Sequence, residues 1–199
     1  NVALGKSALF ANTTADYNVA VGRNSLATNT TGHSNTAVGY IALTANTTAN
    51  HNAGFGYWAL KSVTTGHSNS AMGSNAGRTI TTGIQNTAGG AYALSNATTP
   101  SNNTAFGYSA LAETTTGDSN VAVGWNVLNA NTTGYYNNGI GRSALTANTT
   151  GAQNIAIGAD ALMANTTANF NTSVGNYSLT ANTTGASNTA VGYQSLKAN

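Results

Sequence analysis

The chain repeats itself every 17 residues. Asn stands at 1, 18, 35, 52, 69, 86, 103, 120, 137, 154, 171 and 188, and Gly follows four places later each time, from Gly5 to Gly192. No insertion or deletion interrupts the twelve copies, the last of which ends at its twelfth position. The unit reads close to N-T-A-V-G-Y-x-A-L-x-A-N-T-T-G-x-x. So strict a period requires each copy to stack on its neighbour in register, with stability a sum of nearest-neighbour terms.

Helical repeats need about thirty residues or more per unit and good helix formers. This unit is built from Gly, Asn and Thr, with 5% charged residues in the whole chain. Such a composition favours short strands joined by tight turns. The chain is therefore expected to be all-β: a parallel β-solenoid with one coil per 17 residues, about twelve coils, forming one array over residues 1–199. Strand spacing of about 4.8 Å makes a rod roughly 50 Å long.

Within the unit, position 4 is apolar in eleven copies and position 9 is Leu in eleven, the exceptions being Gly89 and Gly77. These two tracks are expected to fill a thin core. Gly at position 5 marks a backbone angle or close approach that a Cβ forbids. Asn at positions 1 and 12 suits turns, where stacked amides bond from coil to coil; at position 12, Val63, Ile80, Ala97 and Thr114 replace it in four successive copies. Position 3 is Ala, Gly or Ser in all twelve copies, and position 8 is Ala or Ser in eleven, with Val127 the other. Position 3 points opposite to position 4 in a strand. Its restriction to small residues is read as a chain–chain interface along the rod, the alternative being a cramped turn within one chain. Gly77 and Gly89 predict a thinned core and weak protection from hydrogen exchange over residues 69–102.

Ten charges with a net of +2 form no basic cluster, so the counterion displacement that drives nucleic-acid binding has no source. No apolar run is long enough to insert in a membrane. With zero cysteines, disulfides, thiolate metal sites and thiol nucleophiles are all absent.

The stretches at 35–43 (NTAVGYIAL) and 188–196 (NTAVGYQSL) resemble the head repeats of YadA-like trimeric adhesins. They are similar too to the N-T-A-V-G-Y-x-A-L arrays of phage and bacterial tail-fibre proteins. The resemblance covers all twelve copies. It implies a left-handed β-roll, three chains side by side, and an extracellular fibre on a cell surface or virion that binds a receptor or glycan. The adhesin-head unit is shorter than 17 residues. Starting on position 1 and stopping at position 12 without a cap suits an uncapped segment of a longer fibre.

Sites of chemistry are sparse. Residues 139–144 mimic a dinucleotide fingerprint but are simply repeat positions 3 to 8, without the helix that motif needs. His33, His51 and His67 fall on three successive coils, too far apart to share an ion. Asp16, Glu113, Asp118 and Asp160 are scattered, and the periodic Asp of calcium-binding rolls is missing. The N-T-T sequons follow from the repeat itself. No catalytic residue, cofactor or metal ligand is assigned, and no enzyme is expected. Aromatics at positions 6, 7, 16 and 17 are the candidates for surface recognition: Tyr40, Tyr57, Trp58, Tyr92, Tyr108, Trp125, Tyr135, Tyr136 and Tyr193. Amphipathic rings on a polar surface suit stacking against sugars, or they simply cover the rod. The function expected is a structural and adhesive fibre segment, a homo-oligomer and in particular a trimer. The alternatives are an end-to-end filament and, further off, an ice-binding solenoid; adjacent Thr13 and Thr14 point to opposite faces, which disfavours the last.

Overall fold

A computed structural model describes residues 1–198. It is a parallel β-solenoid with one coil per repeat and, among the described residues, no α-helix. Each coil supplies one three-residue strand: β1 (Val2–Leu4), β2 (Val19–Val21), β3 (Thr36–Val38), β4 (Ala53–Phe55), β5 (Ser70–Met72), β6 (Thr87–Gly89), β7 (Thr104–Phe106), β8 (Val121–Val123), β9 (Asn138–Ile140), β10 (Ile155–Ile157), β11 (Thr172–Val174) and β12 (Thr189–Val191). The strands form a single sheet in chain order. Each residue pairs with the one 17 places on, as Val38 with Phe55, so the repeat is also the register.

Backbone pairing continues beyond the strands. Leu26 N donates to Ala42 O at 3.1 Å, Asn24 N to Lys6 O at 2.9 Å and Thr30 N to Thr47 O at 2.9 Å. A coil therefore has its polar backbone satisfied by its two neighbours nearly all the way round, which lets so narrow a unit bury peptide groups at all.

Tight corners close the coil. The Gly track at position 5 has φ between +122° and +140°, and a Cβ at Gly158 would stand 2.6 Å from Gly175 C and 2.8 Å from Asn176 N. Both reasons proposed for that glycine, angle and close approach, hold. Three further corners at positions 7, 9 and 17 are left-handed at φ of 46° to 62°, and all but Gly77 are taken by residues with a side chain. Each costs about 1–2 kcal/mol, and Ile41, a β-branched residue, takes one of them. Repeated coil-to-coil bonds hold these corners in place.

The core differs from the expected one. Leu at position 9 is buried as expected, with Leu26, Leu43, Leu94, Leu111, Leu128, Leu145, Leu162 and Leu179 fully enclosed. The small residues at positions 3 and 8 pack around it: Ala37, Ala42, Ala71, Ala76, Ala122 and Ala156 are also sealed from solvent. Position 3 is thus interior, and its reading as a chain–chain interface is overturned in favour of the cramped coil. Position 4 points the other way. Phe55, Met72, Phe106, Val123, Ile140 and Ile157 are 38% to 51% exposed, so this track does not fill the core. The lumen beside the strand is too narrow for anything beyond Ala once Leu occupies it. An ideal Cβ on Gly54 already lies 3.3 Å from Ala59 O and 3.5 Å from Leu43 Cδ1.

The expected weak middle is likewise replaced by compensation. A Cβ at Gly77 would meet Leu60 Cδ2 at 2.8 Å and Ile80 Cδ1 at 3.2 Å. Ile80, standing where most coils have Asn, lies in the space beside the absent Leu. Gly89 lies on the outer track, not in the core, and the Phe106 ring covers it. At Gly77 neighbouring side chains thus close on the place of the missing Leu, and Gly89 removes nothing from the core.

Both Asn ladders line the interior. Asn35 Nδ2 crosses the coil to Ala49 O at 2.8 Å, and its Oδ1 accepts from Asn52 N at 2.9 Å. The position-12 ladder bonds amide to amide, as Asn46 Nδ2 to Asn29 Oδ1 at 2.7 Å. It stops where Val63 replaces Asn, and there Asn46 Oδ1 is buried with no partner. The ladder resumes with Asn131 Nδ2 reaching Thr114 Oγ1 at 3.5 Å. Asn199, the last residue of this track, lies outside the described residues.

Two substitutions test this core. A Cβ on Gly139 would lie 2.6 Å from Val127 Cγ1, so the one large residue at position 8 is matched by a missing side chain opposite. Gly139→Ala is expected to destabilise by about 1–3 kcal/mol through overpacking. Combined with Val127→Ala, which restores the usual small pair, the loss should fall clearly short of the sum of the single losses in thermal melts. Val63→Thr supplies a hydroxyl to the orphaned Asn46 Oδ1. A buried Val→Thr change ordinarily costs about 1–3 kcal/mol; here the melting temperature is expected to stay level or rise, since an unpaired buried acceptor is relieved.

Candidate functional site

The outward side of the sheet is the most extensive surface the fold builds. Because position 3 points in, positions 2 and 4 both point out. Position 4 contributes Val, Ile, Leu, Phe or Met in eleven coils, and position 2 contributes Val, Ile, Thr, Ala, Ser or one Asn. Neither carries a charge anywhere along the chain. The result is an uncharged, largely apolar stripe running the length of the rod, with Val21, Val38 and Val174 half-buried between their larger neighbours. Hydrophobicity alone places the position-4 side chains inside. The signal that places them outside is the size limit at positions 3 and 8, which leaves no interior room for branched chains.

The nine aromatic candidates do not form one site. Tyr40, Tyr57 and Trp58 make a continuous stack on coils 3 and 4, with ring centroids 5.5 Å apart for the first pair and 4.8 Å for the second. Lys61 Nζ lies 4.3 Å from the Trp58 ring and the Arg23 guanidinium 5.9 Å from Tyr40, so cations cap both ends. Trp58 is only partly exposed, and its Nε1 is buried without a partner. Tyr40 and Tyr57 remain exposed at 37% and 45%, but their ring faces are engaged within the stack. Tyr135 and Tyr136 meet edge to face at 5.5 Å beside Asp118, and Tyr193 meets Tyr177 at 6.2 Å on the last two coils. Trp125 is exposed and has no aromatic neighbour among the described residues.

Tyr92 and Tyr108 have a different setting. Their centroids are 5.8 Å apart at an interplanar angle of 70°, and they wall a cleft of about 300 Å³ on coils 5 to 8. Its floor is made where the outer turns shrink to Ser95, Ser109 and Ala112. Along its other side runs a polar row: Arg78 Nη2 donates to Asn96 Oδ1 at 3.1 Å, and Asn96 Nδ2 donates to the Glu113 carboxylate at 2.9 and 3.0 Å. Arg78, Asn96, Glu113 and Asn129 are not among the sequence candidates. Arg78 and Asn129 occupy position 10, which varies freely, whereas Asn96 and Glu113 stand at position 11, where most copies have Ala, and that departure is the one signal the period offers.

The Thr pair lies in a bend outside the strands, and its two members divide. Position-13 hydroxyls bond to the next coil, as Thr30 to Thr47 O at 3.0 Å and Thr132 to Thr149 O at 3.0 Å. Position 14 is exposed in every coil that has it, forming a solvent-facing Thr column that is joined by exposed position-13 residues at Thr13, Thr98 and Thr183. Among the described residues no three His, Asp or Glu converge as a metal site, and Gly139 and Ile140 sit in β9 with no helix after them. Arg142 pairs with Asp160 across adjacent coils. Among the described residues no helix is long and apolar enough to cross a membrane.

Compared with family models, curated proteins and solved structures, the chain matches none. The likeness to adhesin heads and tail fibres rests on the repeat residues alone.

Because Trp58 Nε1 bonds to nothing, the ring acts through its area and its stack. Trp58→Phe is expected to change stability by under about 0.5 kcal/mol, which shifts the melting temperature by no more than about 2 °C. Trp58→Ala, which removes the stacked ring, should lower it by more than that in differential scanning calorimetry.

Proposed function

We propose that the chain is a structural and adhesive segment of an extracellular fibre, in which copies of the chain pack side by side through the outward faces of their sheets. One observation carries this reading: the charge-free apolar stripe at positions 2 and 4. Soluble monomers rarely leave a continuous apolar patch of more than a few hundred Å² uncovered, and larger ones mark interaction surfaces. A strip about 50 Å long and one strand wide presents roughly 500 Å² of flat surface before side-chain relief is added. That approaches the roughly 800 Å² per partner of stable complexes.

The occupant that fits is a second copy of the chain. Its ridges recur at the same strand spacing, so alignment at one coil aligns all of them, and no charge must be matched or desolvated. Three copies is the number the resemblance to adhesin heads and tail fibres implies, and a closed ring of identical contacts is the ordinary outcome for identical chains. The remaining surface, with its Tyr clusters and Thr column, is then the part turned to a receptor. The repeat's lack of ionisable residues suits a rod whose task is length and surface, and catalysis is not part of the reading.

Sedimentation equilibrium tests it. The chain is expected to run as a discrete trimer, and Val123→Lys with Ile140→Lys to shift it to monomer by placing unpaired cations in the stripe. Thr133→Lys, on the exposed column away from the stripe, should leave the assembly intact. A monomeric parent chain would overturn the proposal, and open-ended growth with concentration would favour the filament.

A further inference from the structure

We propose that the cleft walled by Tyr92 and Tyr108 is a binding site for a neutral saccharide of one or two pyranose rings. The inference deepens the adhesive half of the function proposed above and rests on it. The cleft itself is complete within one chain and lies on the outer turns, at positions 6, 7, 10 and 11, and its lining shares no residue with the stripe assigned to packing.

Three observations converge there. The first is shape. At about 300 Å³ the cleft matches the small end of ligand sites, about 300–1,000 Å³, and it is the place where a periodic rod departs from its period. Ser95 and Ala112 are nearly buried as the floor, while Tyr92 and Tyr108 stand 41% and 51% exposed as walls. The second is the ring geometry. At 70° to one another the two tyrosines cannot stack together. A ring face is therefore left free for the C–H side of a sugar, unlike in the Tyr40–Tyr57–Trp58 stack, where the rings cover each other.

The third is the polar row. Arg78, Asn96 and Glu113 are already linked by three hydrogen bonds of 2.9 to 3.1 Å, which fixes the guanidinium, amide and carboxylate planes before a ligand arrives. Asn129 closes the end of the row, its Nδ2 donating to Ser109 O at 3.1 Å. The side chains offer donors and acceptors in alternation, and one cation is balanced by one anion. A sugar hydroxyl both donates and accepts, so it can bridge such a row. A charged ligand would find no net field to hold it.

Saturation-transfer NMR on the intact chain tests the site, with methyl glycosides of glucose, galactose, mannose and N-acetylglucosamine each at about 10 mM, where a millimolar site is nearly filled. At least one is expected to receive saturation. Tyr108→Ala and Glu113→Gln should each reduce it by about fivefold or more, with thermal melts and oligomeric state as in the parent. Tyr57→Ala should leave the signal unchanged. No transfer to any glycoside, or transfer that survives Tyr108→Ala and Glu113→Gln together, would overturn the assignment, as would loss through Tyr57→Ala in place of Tyr108→Ala. Should the cleft variants misfold, titration of the bound glycoside against the parent's Tyr92 and Tyr108 ring resonances decides the same question: those two must shift, and shifts elsewhere alone defeat the proposal. Failure here leaves the trimer untouched, and a monomeric chain that binds sugar would remove the fibre reading without removing the site.

Discussion

The position-1 asparagine is what makes a 17-residue coil closable. Its Nδ2 spans the lumen to a carbonyl at position 15 of the same coil, and its Oδ1 takes the backbone N–H of the next Asn. Each side chain thus ties the two walls of one coil together and hands the register to the following one. An aliphatic residue of the same size would leave that carbonyl and that N–H buried and unpaired, at about 1–3 kcal/mol each. The glycine at position 5 is the complement. It lets the backbones of successive coils approach closely enough for the ladder to form, at an angle denied to residues with a Cβ. With these two in place, left-handed corners at positions 7, 9 and 17 are held by bonds on both sides, and residues as unsuited to them as Ile41 and Trp58 are carried along.

That frame also sets what the core can be. Two amide ladders already occupy part of the lumen, so only Leu at position 9 is large, and the walls beside it shrink to Ala. Departures come in matched sets. Val127 is answered by Gly139, the absent Leu at Gly77 by Ile80, and the break of the amide column at Val63 by an unpaired oxygen on Asn46 that no neighbour answers. The first is a compensation between adjacent coils and the second lies within one coil, both local as a nearest-neighbour architecture requires. The third shows the limit of the scheme: an amide ladder is directional, so an apolar interruption orphans its last acceptor wherever the ladder ends.

The period, the absence of indels and the Gly and Thr content suffice for the solenoid, its register and the role of Gly5. Strand alternation correctly sets Ala37 against Val38. It does not say which of the two faces inward, and ordinary hydrophobicity chooses Val38. The deciding fact is the width of the lumen, which depends on how the whole coil closes around Leu43 and the amide ladders, a property of no single track. The cleft is barely legible in the sequence for a related reason. Tyr92 and Tyr108 stand out as aromatics, but Arg78, Asn96 and Glu113 come from three successive coils and meet only because 17 residues return each of them to the same side of the rod.

Turning the bulky track outward changes what low charge means. In a solvated monomer, ten charges on 199 residues with an apolar stripe down one side would be a liability, since a flat uncharged strand face invites indiscriminate association. The same stripe becomes specific when its partner carries an identical repeat, because a shift of one coil leaves end coils uncovered and a shift of half a coil sets ridges such as Phe55, Met72 and Phe106 against one another. Specificity then comes from periodicity and bulk, and charge is not needed for it. Variation is free to gather on the outer turns, where the ring clusters and the Tyr92–Tyr108 cleft lie and where one coil can be altered without disturbing the face that all of them share.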